Sequence, residues 1–117
     1  MVVESYRDLQ VWQRAIETSI AVYRMAANFP PDERFSLTSQ MRRAAVFTAS
    51  NIAEGYGRNS TGEYKQFLGM ARGSNLELQT QLFIATELGF STLEHLIKGE
   101  GLFNEVSKML NSLLLKP

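Results

Sequence analysis

The chain has no cysteine in its 117 residues, which excludes disulfides and thiolate metal sites and agrees with a reducing compartment. It has one histidine, His95, with no HExxH or ExxH spacing around it and no second imidazole to share a metal. His95 therefore reads as a surface residue. No stretch approaches the roughly eighteen apolar residues of a membrane span, and the start MVVESYRDLQ lacks the basic and apolar parts of a signal peptide. We expect a cytoplasmic protein with no membrane association. Net charge is missing too: 12 basic side chains balance 12 acidic ones, which argues against a general affinity for nucleic acid.

Catalytic signatures are equally scarce. There is no GxxxxGK[ST] loop and no GxSxG elbow, and Gly55-Tyr56-Gly57-Arg58-Asn59 lacks the preceding strand and third glycine of a dinucleotide fingerprint. Glu54, Glu63, Glu77 and Glu87 have no histidines to complete a di-iron set. The reading is a non-enzymatic protein with no cofactor, no metal and no small-molecule substrate.

What the chain does have is helix-forming sequence, most clearly from Ser36 to Arg58. Leu37, Met41, Ala44, Ala45, Thr48, Ala49, Ile52 and Tyr56 recur at three- and four-residue steps, which places them on one helical face, and the alanines invite close approach by a neighbour. Arg43, Phe47, Ser50, Asn51, Glu54 and Arg58 share another sector. Glu54 and Arg58 stand four apart in the favourable order for a helical ion pair. Ser50, Asn51 and Glu54 lie beside the alanine seam, so they are expected to bridge helices through hydrogen bonds.

Before this segment, residues 6–28 read as a first helix, opened by a Ser5/Asp8 capping box and closed by Phe29, Pro30 and Pro31. Leu9, Trp12, Ile16, Ile20, Tyr23 and Ala27 form its main apolar stripe, with Trp12 as a core anchor. Ser36 is the expected N-cap of the second helix, and Gly55 and Gly57 are expected to end it in the left-handed conformation. After a short connection at 59–62, Ser60 and Glu63 start a third helix running towards Gly89. Tyr64, Phe67, Leu68, Ala71, Leu78, Leu82 and Ala85 are its core stripe, and Gly69 and Gly73 suggest close approach by another backbone. Ser91 and Glu94 start a fourth helix, loosened near Gly99 and Gly101. No strand pattern or internal repeat is visible. Residues 1–117 thus predict one all-α domain, an antiparallel up-down-up-down four-helix bundle.

Two surfaces suggest partners. A second apolar stripe on the first helix, Val11, Ala15, Val22 and Ala26, together with Leu76 and Phe83 on the third, exceeds what one bundle needs and reads as a homo-oligomer interface. Residues 34–72 hold six basic side chains against two acidic ones, so Arg42, Arg43, Arg58, Lys65 and Arg72 are candidates for weak contact with RNA or DNA backbone. The alternative is a purely structural assembly protein that binds no nucleic acid.

The segments YRDLQVWQRAIE, LTSQMRRAAV, SNIAEGYGRNS, EYKQFL, ARGS and TQLFIA, in that order over residues 6–90, resemble the four-helix bundle family first noticed within intervening sequences of large-subunit ribosomal RNA genes. The resemblance implies an antiparallel bundle assembling as a ring-like homopentamer. A related branch, the accessory proteins of diversity-generating retroelements, binds nucleic acid and a reverse transcriptase through a basic surface. Phe47, Thr48 and Ala49 depart from the family pattern, which usually has serine, an aliphatic residue and often proline there.

Overall fold

The structure is a computed structural model and describes residues 4–117. Four helices run in sequence: α1 (Gln10–Ala26), α2 (Leu37–Tyr56), α3 (Thr61–Glu87) and α4 (Leu93–Leu114). Short 3-10 turns at Tyr6–Asp8 and Pro31–Glu33 precede α1 and α2. Each helix packs against its chain neighbours, α4 closes against α1, and the diagonal pairs are not in backbone contact. The result is an antiparallel four-helix bundle measuring 43 × 24 × 21 Å, with no strand among the described residues.

The core of α1 corrects the sequence reading. Val11, Ala15, Val22 and Ala26, expected to form an oligomer interface, are all buried inside the protomer. Val11, Ala15 and Val22 belong to the series Val11, Ala15, Thr18, Val22, Met25, Phe29, which alternates steps of four and three residues, the spacing of a bundle seam, and Ala26 lies beside it. The stripe of larger residues lies off that seam: Leu9, Trp12 and Ile16 are half-buried, whereas Ile20 and Tyr23 are exposed. Thr18 hides the true seam in the sequence because it is polar. Its hydroxyl donates to the Arg14 carbonyl at 2.8 Å, which satisfies it inside the core.

Two apolar clusters stack along the bundle. One gathers Val22, Met25, Leu37, Met41, Leu78, Leu82, Leu96 and Phe103; the other gathers Val11, Ala15, Ala49, Ile52, Leu68, Ala71, Val106 and Leu110. In α1, α2 and α3 the residue between the clusters is polar and buried: Thr18, Thr48 and Asn75. Thr48 donates to Ala44 O at 2.9 Å. Asn75, fully buried, donates through Nδ2 to Phe103 O and to Ser107 Oγ, both at 2.8 Å, and so ties α3 to α4. The core is therefore two apolar blocks separated by a polar layer.

Several helix ends differ from expectation. The Ser5/Asp8 capping box forms, but it caps the 3-10 turn; Leu9 is extended, and α1 begins at Gln10. Ser36 occupies the N-cap of α2 without a capping bond from its side chain, and the Glu33 carboxylate accepts from the Leu37 amide at 3.3 Å instead. Gly55 lies inside α2 and Gly57 is right-handed, whereas Gly89, with φ +80°, is the left-handed glycine and turns the chain out of α3. Gly55 is needed for close approach, since a Cβ there would sit 3.0 Å from Phe67 Cβ and 3.2 Å from Tyr64 O. Thr92 caps α4 in place of Ser91, accepting from the His95 amide at 3.1 Å. α4 is continuous, because Gly99 serves packing: a Cβ there would meet Leu82 Cδ2 at 2.4 Å. Gly69 and Gly73 have no atom of a neighbouring helix within 4 Å of a Cβ placed there, so nothing in the protomer requires them to be glycine.

Candidate interaction surfaces

The predicted polar bridge in α2 does not join helices among the described residues. Ser50 and Asn51 are half-buried and Glu54 is exposed, and none of them hydrogen-bonds to a neighbouring helix. Glu54 does not pair with Arg58 either. The Arg58 guanidinium lies 4.4 Å from the centre of the Phe67 ring, a cation–π position across the α2–α3 seam. The polar bridges lie elsewhere: Ser19 Oγ donates to Ala45 O at 3.0 Å, Arg42 Nη2 donates to Tyr23 O at 3.2 Å, and Asn75 reaches α4. Arg14 spans α1 and α4, its Nε 2.6 Å from the Glu105 carboxylate, and that hydrogen bond and charge hold the guanidinium further in its protonated form. Asn75 was missed because an isolated asparagine in a helix has no sequence signal for burial. Only the gap it leaves between Ala71 and Leu78 in the apolar stripe marks it.

The five candidate nucleic-acid cations do not gather on one side of the protomer. Arg42 turns towards α1, where it also lies over the Tyr23 ring at 4.8 Å. Arg58 is held at the α2–α3 seam. Lys65 reaches the backbone carbonyl of Lys116, beyond the end of α4. Arg72 follows Lys65 by two helical turns and shares its α4-facing side of α3. Arg43 shares the outer stripe of α2 with Phe47 and Glu54. Arg43 and Arg72 are exposed and form no ion pair among the described residues.

Apolar surface is exposed at several places among the described residues. On the outside of α3 and α4, Leu76 is 49% exposed, Phe83 53%, Leu93 65% and Ile97 64%. Between α1 and α2 runs a groove of about 470 Å³ whose lining includes Tyr6, Trp12, Ile16, Ala49, Ala53 and Glu54. On its α2 wall the small residues Ala49, Ser50 and Ala53 lie between Val46 and Glu54. Tyr6 and Trp12 form its aromatic end, their rings edge to face with centroids 5.2 Å apart. Another cleft, of about 510 Å³ between α1 and α4, brings half-buried His95 near Arg24 and Lys98. No three His, Asp or Glu side chains converge as a metal ion would require, and no helix is long and apolar enough to cross a membrane, among the described residues.

These features define a small all-α bundle whose distinctive chemistry is on its outer faces. The chain belongs to the 23S rRNA-intervening sequence protein family, which it matches over residues 7–112. It is similar in structure to a protein of unknown function from the S23 ribosomal protein family of Bacteroides thetaiotaomicron VPI-5482, with a TM-score of 0.81 at 19% sequence identity, covering 91% of this chain and 99% of the other. No curated protein matches it.

Proposed function

We propose that the protein is a non-catalytic accessory scaffold that works as a homo-oligomer. The observation that carries this reading is the uncovered apolar face of α3 and α4, where Leu76, Phe83, Leu93 and Ile97 are each about half exposed or more. A protomer with these four side chains in water gains by covering them, and burial is favourable by ~25 cal/mol per Å² of apolar surface. With Val11, Ala15, Val22 and Ala26 in the core, support for an interface comes from Leu76 and Phe83, which stay exposed. Five subunits is the number the family resemblance implies, and the scaffold is read as such a ring. A cytoplasmic setting agrees with a chain lacking cysteine.

Contact with RNA or DNA depends on that assembly. One protomer spreads its five cations over several sides, so a phosphate-binding surface requires copies that bring Arg43 side chains together. Sedimentation equilibrium tests the scaffold reading. The wild type should sediment above the 13.2 kDa protomer mass at micromolar concentration, and Phe83→Glu should shift it towards that mass. A single 13.2 kDa species for the wild type at every concentration would overturn it.

A further inference from the structure

We propose that the groove between α1 and α2 receives the outer ridge of α3 from a second copy of the chain, with that copy's Arg72 set against Glu54. The inference rests on the self-assembly reading above and assigns the surfaces that meet.

The groove side presents an acid beside aromatic rings. Glu54 lines it and has no ion-pair partner among the described residues, because Arg58, four residues on, is held over Phe67. The Tyr6 and Trp12 rings line the same groove, and aromatic faces next to a carboxylate favour a guanidinium over an ammonium. Ala49, Ser50 and Ala53 on the groove wall keep side-chain bulk away, so a helix backbone can come close.

The ridge side is complementary in shape and in charge. Gly69, Gly73 and Leu76 share the outer stripe of α3, and Arg72 flanks that stripe on its α4 side; all four are exposed. No atom of a neighbouring helix lies within 4 Å of a Cβ placed at Gly69 or Gly73, so their lack of side chain serves no contact inside the bundle. Arg72 stands between these glycines without an ion pair among the described residues. Glycines against alanines let the two helices approach, and close approach brings Arg72 within reach of the groove carboxylate. The charges match: an unpaired base on the ridge meets an unpaired acid in the groove. Nucleic acid is a poor occupant, since Glu54 would repel phosphate. The ridge and the groove are on different sides of the bundle, so the contact is head-to-tail and propagates to a ring or a filament.

A charge-swap series followed by sedimentation velocity tests this. Glu54 and Arg72 are both exposed, so Glu54→Arg and Arg72→Glu should keep the helical circular dichroism of the wild type. Each single reversal should weaken assembly by about tenfold or more, and the double variant should recover most of that loss. Trp12 is the only tryptophan, so its emission should shift to the blue as the wild type assembles, and in the single variants only at correspondingly higher concentration. A wild type that stays monomeric removes the self-assembly reading itself. A wild type that assembles while both reversals leave assembly unchanged, or while the double variant shows no recovery, overturns the Arg72–Glu54 assignment alone.

Discussion

Gly55 and Gly73 both lie inside helices, yet replacing each by alanine should change stability in opposite directions. At Gly55 the new Cβ would lie 3.0 Å from Phe67 Cβ and 3.2 Å from Tyr64 O. Neither atom can rotate away, because one is a carbonyl oxygen and the other is fixed to its backbone. The α2 and α3 backbones must then separate by several tenths of an ångström, disturbing the packing around buried Ala44. Overpacking of this kind costs about 1–3 kcal/mol, and the gain in helix propensity offsets at most about 1 kcal/mol of it. In the protomer the space at Gly73 is open, so at protein concentrations low enough to keep the chain monomeric only the propensity gain of about 1 kcal/mol remains. The two variants should differ by about 2 kcal/mol, or roughly 10 °C in Tm for a domain of this size. Urea denaturation followed by circular dichroism, at one fixed protein concentration, measures the difference as a shift in midpoint at constant slope. A Gly55→Ala midpoint at or above wild type would refute the close-approach argument.

Asn75→Asp should destabilise by about 3 kcal/mol or more, because it puts a carboxylate beside the Phe103 carbonyl in a fully buried site, whereas Asn75→Leu should lie within about 1 kcal/mol of wild type by removing the unpaired Oδ1; denaturant midpoints of the two variants check this. Burial raises the Tyr64 phenol above its ordinary value, so the folded state favours the neutral form: its contribution is fully present below the unfolded-state value of about 10 and is lost as pH rises through the folded value. An alkaline stability profile should therefore fall above about pH 10 in the wild type and fall less in Tyr64→Phe. If assembled copies bind RNA through backbone contacts, fluorescence anisotropy should show weak binding at low salt that fades at moderate salt, with Arg43→Glu weaker at every salt concentration while sedimentation is unchanged.

Much of the fold was legible because helix boundaries and period are local properties. Pro30 and Pro31, the Ser60 cap and the unbroken apolar period of α2 each act within a turn or two of chain, and the structure places elements where they point. The choice of core face on α1 was not local. Ile20 and Tyr23 are larger and more apolar than Ala15 and Thr18, so sequence favours the wrong stripe. What decides between them is how near α2 and α4 come, and that distance is set by the small residues of other helices. The candidate cations are scattered on one protomer for a related reason. Arg42, Arg58 and Lys65 each find a partner on a different neighbouring element, so a run of basic residues in the chain becomes several separate contacts in space. Glycines misled in both directions: Gly99 suggested a broken helix and serves packing, whereas Gly69 and Gly73 suggested packing and meet open space.

The small residues of α2 have consequences on two sides of that helix. Facing inward, Ala44, Ala45 and Gly55 allow α3 to pack closely, which is why Phe67 and Tyr64 stand so near the α2 backbone. On the α1 side, Ala49 and Ala53 leave the groove wall low, and Trp12 and Tyr6 stand at its end instead of filling it. A larger residue at Ala53 would fill the groove at little cost to the half-buried position, and one at Ala49 would push α1 and α2 apart. A bundle selected only for stability gains by the first of these changes. Alanine at position 53, next to a glutamate with no ion pair among the described residues, leaves in the groove the room that the second copy proposed above would occupy.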